Sequence, residues 1–353
     1  MGVENQATVE VPSDTARVAD ASVIILAFTM DRWDLTCAAV ESVLNQTLPP
    51  REIILCVEGS AEFANRFRER WPRSEDALPA IMVTGSEPEG GQEEWVPYAC
   101  HGPIAGAERT RGVELASGEI VVFLDDDASA EPDWLARLLA PFADPSVVGV
   151  GGAPLPVYPK PRPRWFPHEF DWVLGCAYTG LPTQTGPTLR MIGANMAARR
   201  ESVLAVGGFS ALAEDLYLSH RLLELAPGNQ LIYEPRAIVN HFVSEERLTW
   251  RYFRRRCWDA GRAKFAVMRE LGSAGNMRAD RRFVGSSLSA GVTGGLRQFL
   301  GGDVGGLERA AAIIAGLALS GLAYVTGVLD WYIAALRRPS ARVHSTASPP
   351  RTW

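Results

Sequence analysis

The chain has 353 residues, enough for one large domain or two smaller ones with ample core. Apolar residues make up 47% and charged residues 22%, a globular composition that excludes a disordered chain. A formal net charge of −6 has the wrong sign for a nucleic-acid partner, and five scattered cysteines (Cys37, Cys56, Cys100, Cys176, Cys257) without CxxC or zinc-type spacing fit a reducing compartment.

Residues 1–20 are polar and acidic and lack the apolar run of a secretory signal, so they read as a flexible lead. Ser22–Phe28 reads as a first buried strand, followed by helical periodicity over Leu35–Leu44 that Pro49-Pro50 ends. Glu52–Val57 is a second strand. A helix carrying Phe63, Phe67 and Trp71 leads to Pro72, and Ala80–Val83 is a third, short strand. A further helix over about Ala105–Ala116 feeds Ile120–Leu124, five apolar residues in the manner of a strand covered on both faces. This alternation implies βαβ units, so residues 21–150 form an α/β half built on a mostly parallel sheet flanked by helices.

The Ile120–Leu124 strand ends in Asp125-Asp126-Asp127. Ligands of open α/β sheets bind beyond the carboxyl ends of the strands, and hard oxygen donors there suit Mg²⁺ or Mn²⁺. The competing reading is a solvated acidic turn that caps the next helix.

The Pro- and Trp-rich section Pro154–Pro187 reads as an inserted wall over the sheet end. Strands follow at Arg190–Ala198 and Leu231–His241, with a helix over Ala213–Leu225 between them, so residues 151–245 form a second half. Over residues 246–282 the character becomes basic and aromatic. Arg247, Arg251, Arg254, Arg255, Arg256, Arg262 and Lys264 alternate with Leu248, Trp250, Tyr252, Phe253, Trp258 and Phe265. Such a helix lies on an anionic membrane surface, or uses its arginine stems to cover an apolar seam.

Ala310–Leu329 is uncharged over 20 residues, enough to span about 30 Å of hydrocarbon at 1.5 Å per residue. A buried helix is the other reading. Arg337, Arg338 and Arg342 follow it and favour a cytoplasmic C-terminus. Residues 283–336 therefore form a single span, or a membrane-associated hairpin with Phe283–Leu296 as the return half, and residues 337–353 a flexible tail.

Several motifs occur in a fixed order. They are the first strand, the turn Val57-Glu58-Gly59-Ser60, the helix start from Gly106 to Gly112 (GAERTRG), Phe123-Leu124-Asp125-Asp126-Asp127, Gly193-Ala194-Asn195-Met196, and Gly207-Gly208-Phe209 ahead of Glu214-Asp215. Over residues 21 to about 265 this ordered set resembles the family-2 inverting glycosyltransferases of the GT-A fold. The wording WRYFRRRCWDAGRAK from Trp250 and the apolar tail look most like membrane-associated bacterial and archaeal members. Those include enzymes that place glucuronate or another hexose on polyprenyl-linked acceptors. A QxxRW motif is lacking, which speaks against a processive synthase.

The resemblance implies transfer from a nucleotide sugar, UDP-linked by expectation, to a lipid-linked or saccharide acceptor at the cytoplasmic face of the cell membrane. It implies a divalent metal, Mg²⁺ or Mn²⁺, held by Asp127 with Asp125. His241 completes that site or contacts the diphosphate, although a lone histidine is more often a packed or surface residue. Donor-binding residues are then Thr29, Arg32, Glu58, Arg109, Asp125 and Asp126. Glu58 departs from the family's usual aspartate, and Asp126 points elsewhere or acts through water. Asp215 is the expected general base with Glu214 as the alternate, against the plainer reading that both complement a helix dipole. Asn195, Trp250 and Arg254 are expected on the acceptor side. A nucleotidyltransferase would need a Gly-rich loop with a basic residue after the first strand, and Phe28-Thr29-Met30-Asp31 is not one. The remaining alternatives are an inactive, membrane-tethered binder of sugar nucleotides and a transferase with a soluble acceptor.

Overall fold

In the N-terminal half, β-branched and aliphatic runs become strands. β1 (Ala19–Ala27), β2 (Pro50–Val57) and β4 (Ile120–Asp125) are buried on both faces, and β3 (Ala80–Gly85) is a partly buried edge strand. The computed structural model describes residues 18–57, 61–72, 79–85, 103–210, 214–271 and 283–337. The four strands pair in parallel in the order β3-β2-β1-β4, with Ile24 opposite both Ile54 and Phe123. On one face Val23, Ile25, Ile53 and Leu55 pack with Val40 and Val43 of α1 (Trp33–Leu44) and Phe63 and Phe67 of α2 (Ala61–Arg70). On the other, Ile24, Leu26, Ile54 and Cys56 meet Val113 of α3 (Pro103–Leu115).

Past β4 the sheet becomes mixed. Its path among the described residues continues through β8 (Asn195–Arg199), β6 (Val147–Val157), β9 (Gln230–Phe242) and the short β5 (Ala128–Ala130), with β7 (Gly186–Thr188) also on β9. β8 runs antiparallel to both β4 and β6, while β6 and β9 are parallel. Two expected bounds change here. Strand geometry begins at Asn195 rather than Arg190, because the backbone turns at Gly193, where the Asn195 N–H donates to the Ile192 carbonyl at 3.0 Å. Conversely β6 continues through Pro154 and Pro156, since its neighbours β8 and β9 pair it along most of its length. The remainder of the Pro- and Trp-rich wall includes a 3₁₀ segment, His168–Leu174.

The C-terminal part is helical. α6 (Glu214–Leu225) follows α4 (Trp134–Leu139) and α5 (Arg200–Ala205) in chain order, and after β9 comes α7 (Trp250–Leu271). A π-helical turn, Phe283–Leu288, runs into α8 (Ser289–Leu300), and a tight turn leads to α9 (Val304–Arg337). Gly295 and Gly306 let α8 and α9 cross closely, since a Cβ at either would overlap the other's carbonyl oxygen. Phe166, Phe170 and Leu174 of the wall share one core with Phe253 and Cys257 of α7, Leu288, and Ala312 and Ile313 of α9. The helix α9 is long and apolar enough to cross a membrane by length and composition.

Candidate active site

The acidic triplet and His241 meet because of strand pairing. After Asp127 the chain enters β5, which pairs antiparallel with β9 and sets Ala128 opposite His241, while the Phe242 N–H donates to the Asp127 carbonyl at 2.8 Å. The His241 Nε2 then lies 3.0 Å from Oδ1 of Asp127 and 3.9 Å from Oδ2 of Asp125. One donor atom from each of Asp125, Asp127 and His241 falls within 4.8 Å of the others, so the three form a group able to hold a metal ion. Two carboxylates are donors that suit Mg²⁺ and Mn²⁺, and the imidazole beside them favours Mn²⁺ over the harder Mg²⁺. The fit is closest at Asp127 and His241, both buried, with Asp125 part-exposed towards the cleft.

Arginines balance the carboxylates. Arg32 donates to Asp126 at 2.8 Å and sits 3.2 Å from Asp127, and Arg247 sits 3.3 Å from Asp127. Burial would raise the Asp127 carboxyl, but the hydrogen bond and charge of His241, with Arg247 and Arg32, hold it well below the usual carboxylate range. Burial would likewise lower the His241 imidazole, yet hydrogen bonds to Asp127 and to the Cys176 Sγ, 3.3 Å from Nδ1, push it up to about 10. Burial pushes Asp126 upward against the pull of Arg32. Asp126 is 2% exposed and therefore anchors Arg32 rather than facing the cleft. Thr29 acts locally, its hydroxyl accepting the Asp31 N–H at 3.0 Å to start the turn that ends at Arg32.

On the opposite side of Asp125 stands Arg109, buried, with Nη2 donating to Asp125 at 3.0 Å. The GGF motif fixes it. Gly208 has φ +78, and a Cβ there would be 2.5 Å from the Thr110 side chain. Close docking on α3 lets the Phe209 N–H donate to the Thr110 hydroxyl at 3.0 Å. The Phe209 ring lies 5.8 Å under the Arg109 guanidinium and packs edge-on against Phe123.

Asp215 belongs to the first turn of α6, and its Oδ2 accepts the Gly193 N–H at 3.3 Å. The Ser219 hydroxyl receives the Met191 N–H at 3.1 Å, so the 191–193 turn is clamped onto α6. A side chain at Gly193 would stand 3.7 Å from both Arg109 Nη1 and the Asp215 Cβ. Asp215 and Arg109 thus lie on either side of the side-chain-free Gly193, and Arg109 in turn pairs with Asp125. The Glu214 residue opens α6 beside it, and Glu58 lies outside the described residues.

The acceptor-side expectations divide. Asn195 is fully buried, accepts from the Trp134 indole at 2.8 Å and donates to the Ala237 carbonyl at 2.9 Å. With both ends of its amide occupied inside the core, it ties β8 to α4 and β9 and has no surface for an acceptor. Trp250 is 41% exposed, edge-on to Trp165 of the wall and stacked on Phe253. Arg254 is exposed on α7 one turn further. Three contributors are new: Arg247 on Asp127, Cys176 on His241, and the Gly193 backbone on Asp215. Arg247 was visible only as one of a basic run, and a lone cysteine in the Pro- and Trp-rich wall gives no signal of its own.

Loop 175–180 leads away from the site. Gly175 abuts the His241 ring, and Thr179 and Gly180 line a cavity of about 570 Å³ with Glu169, Ser286, Gln298 and Arg309.

The chain has relatives in sequence and in fold. Residues 104–207 match the model of glycosyl transferase family 2. A glucosyl-dolichyl phosphate glucuronosyltransferase of Haloferax volcanii is 31% identical over 245 residues, 66% of this chain and 73% of that protein. The succinoglycan biosynthesis protein ExoM of Rhizobium meliloti is 26% identical over 203 residues, 55% of this chain and 63% of its own. Among solved structures, a mannosyltransferase from Pyrobaculum calidifontis in complex with GDP-Man and Mn²⁺ aligns with a TM-score of 0.52 at 20% identity, over 93% of this chain and 84% of its own, which is a likeness of fold. The chain belongs to glycosyl transferase family 2 and has the GT-A fold.

Proposed function

We propose that the chain transfers a sugar from a nucleotide sugar, UDP-linked, to a lipid-linked acceptor with inversion at the anomeric carbon. The observation that carries this reading is the shared geometry of two sets of groups. Asp125, Asp127 and His241 gather their donor atoms within 4.8 Å, and Arg109, paired with Asp125, has Asp215 as its neighbour across Gly193. A divalent cation held by Asp125, Asp127 and His241 would supply positive charge to a departing diphosphate. Arg109 and Arg32 hold donor phosphate or base as rigid forks of N–H groups. Asp215 accepts the proton of the acceptor hydroxyl as its oxygen bonds to the anomeric carbon, and the bond from that carbon to the diphosphate oxygen breaks with its electron pair. Glu214 is the alternate base.

A lipid-borne acceptor is supported by the relative acting on a dolichyl phosphate-linked sugar, by the arginines and tryptophans of α7, and by the apolar α9. Trp250 and Arg254 then meet the acceptor near the membrane, and the cytoplasmic face is the side on which nucleotide sugars would be supplied. The test is nucleotide release across a panel of nucleotide sugars with Mn²⁺, comparing polyprenyl phosphate-linked and soluble acceptors. Release that depends on one UDP-sugar and a lipid-linked acceptor is expected. Nucleotide binding with no release against any acceptor would favour an inactive sugar-nucleotide binder.

A further inference from the structure

Helix α9 has two unlike faces. Leu307, Ile314, Leu322, Val325, Leu329, Tyr332 and Leu336 are all exposed and recur along one side. The opposite side carries small residues, Ala312, Gly316, Ser320, Ala323 and Gly327, turned into the protein. A helix meeting lipid all round has no need of this division, whereas a helix docked along a protein and wetted by lipid on its outer side does.

The small-residue face packs on α7, and the two helices run parallel. Gly316 lies under Phe253, the Ser320 hydroxyl donates to the Cys257 carbonyl at 2.9 Å, and Gly327 lies against Phe265. A Cβ at Gly261 would overlap the Ser320 carbonyl oxygen and stand 2.8 Å from the Ala323 Cβ. Arg262 closes the seam on Asp330 at 2.6 Å. Close approach of small residues over three turns makes this a fixed pairing rather than a passing contact.

That pairing decides how α9 meets a bilayer. If residues 316–327 sat at the middle of the hydrocarbon, the α7 segment beside them would enter it as well. Arg254, Arg255 and Arg262 are exposed on that segment and Lys264 is part-exposed, and charged groups at that depth are costly. At 34 residues and 1.5 Å per residue, α9 is also about 51 Å long against a hydrocarbon core of about 30 Å.

We propose that α9 lies along an anionic leaflet, its outer stripe sunk to the acyl boundary, and does not cross the bilayer. Arg254, exposed on α7, then reaches lipid phosphates while Arg262 stays on Asp330, and Trp331 beside the stripe sits at headgroup level. This inference rests on the membrane reading of the proposed function and fixes its geometry.

The test uses the full chain with Cys37→Ser and Cys100→Ser, carrying a fluorophore at Ile314→Cys, Leu322→Cys or Leu329→Cys in turn. Each site is exposed in the protein. Vesicles of anionic or purely zwitterionic lipid carry quenchers at shallow or deep acyl positions. The expected result is binding that favours anionic vesicles, with all three sites quenched equally and most strongly by the shallow quencher. Deep quenching at Leu322 with shallower quenching at the other two would overturn the in-plane geometry while leaving membrane association intact. Failure to sediment with anionic vesicles would overturn both, and a concentration-dependent dimer without quenching would give the stripe to a second copy of the chain.

Discussion

The His241 Nε2 stands 3.0 Å from Oδ1 of Asp127 and its Nδ1 stands 3.3 Å from the Cys176 Sγ, so one ring joins a strand-end carboxylate to a loop thiol. The first contact follows from the pairing of β5 with β9. The second sets the ring's orientation from outside the metal-ligand group.

Cys176→Ala should therefore weaken Mn²⁺ affinity by roughly 10-fold, the low end of what loss of an outer partner of a ligating histidine costs. Turnover at saturating Mn²⁺ should stay within a few-fold of wild type. Calorimetric Mn²⁺ titration together with the Mn²⁺ dependence of rate checks this, and unchanged affinity would make the thiol mere packing.

Asp215→Asn should lower kcat by about 10²–10⁴-fold, since the amide keeps the shape but cannot take the proton. Nucleotide affinity should change by no more than a few-fold, because the Asp215 carboxylate accepts the Gly193 and Leu216 N–H groups rather than bonding the acidic triplet. Steady-state kinetics and nucleotide titration separate the two. If Glu214→Gln is instead the damaging change, the base is one residue earlier.

The Gly208→Ala substitution should destabilise the fold by about 1–3 kcal/mol through its left-handed backbone. The added methyl also pushes Phe209 away from Thr110 and so from beneath Arg109. Denaturant unfolding should show the loss, and donor KM should rise with it. Gly207 also has positive φ but open space around it, so Gly207→Ala should affect stability alone.

Much of this was legible in the sequence and some was not, for physical reasons. Strands such as Ile120–Asp125 are continuous apolar runs, so their existence and their acidic ends could be read directly. The relation of Asp125 and Asp127 to His241 depends on β5, a three-residue strand with no apolar pattern of its own, and the motif order supplied what periodicity could not. Asn195 misled because a polar residue in a motif looks like a ligand contact, whereas this one satisfies a buried tryptophan and a buried carbonyl. The uncharged stretch of α9 was readable, but its partner was not, since the docking on α7 rests on Gly261, which looks like an ordinary glycine in a sequence.

Acid stability should depend on Glu234, within β9. Burial would raise its carboxyl, but hydrogen bonds from Arg236 and the Thr185 hydroxyl hold it down at about 2 against an ordinary 4.5. Because the folded value is depressed, its stabilisation is complete above 4.5 and disappears as pH falls from there towards 2. The stability gap between wild type and Glu234→Gln should thus be constant near neutrality and close over that window. Urea unfolding at a series of pH values measures it, and a gap independent of pH would remove Glu234 as its source.

The most direct measurement is the anomeric configuration of the product, read by NMR from transfer with the UDP-sugar and lipid-linked acceptor that support turnover, with and without a chelator. One-step displacement with Asp215 as base and Asp125, Asp127 and His241 holding a divalent cation predicts an inverted product. It also predicts transfer lost on chelation and restored by Mn²⁺. A retained configuration, or full transfer in the presence of the chelator, would contradict it.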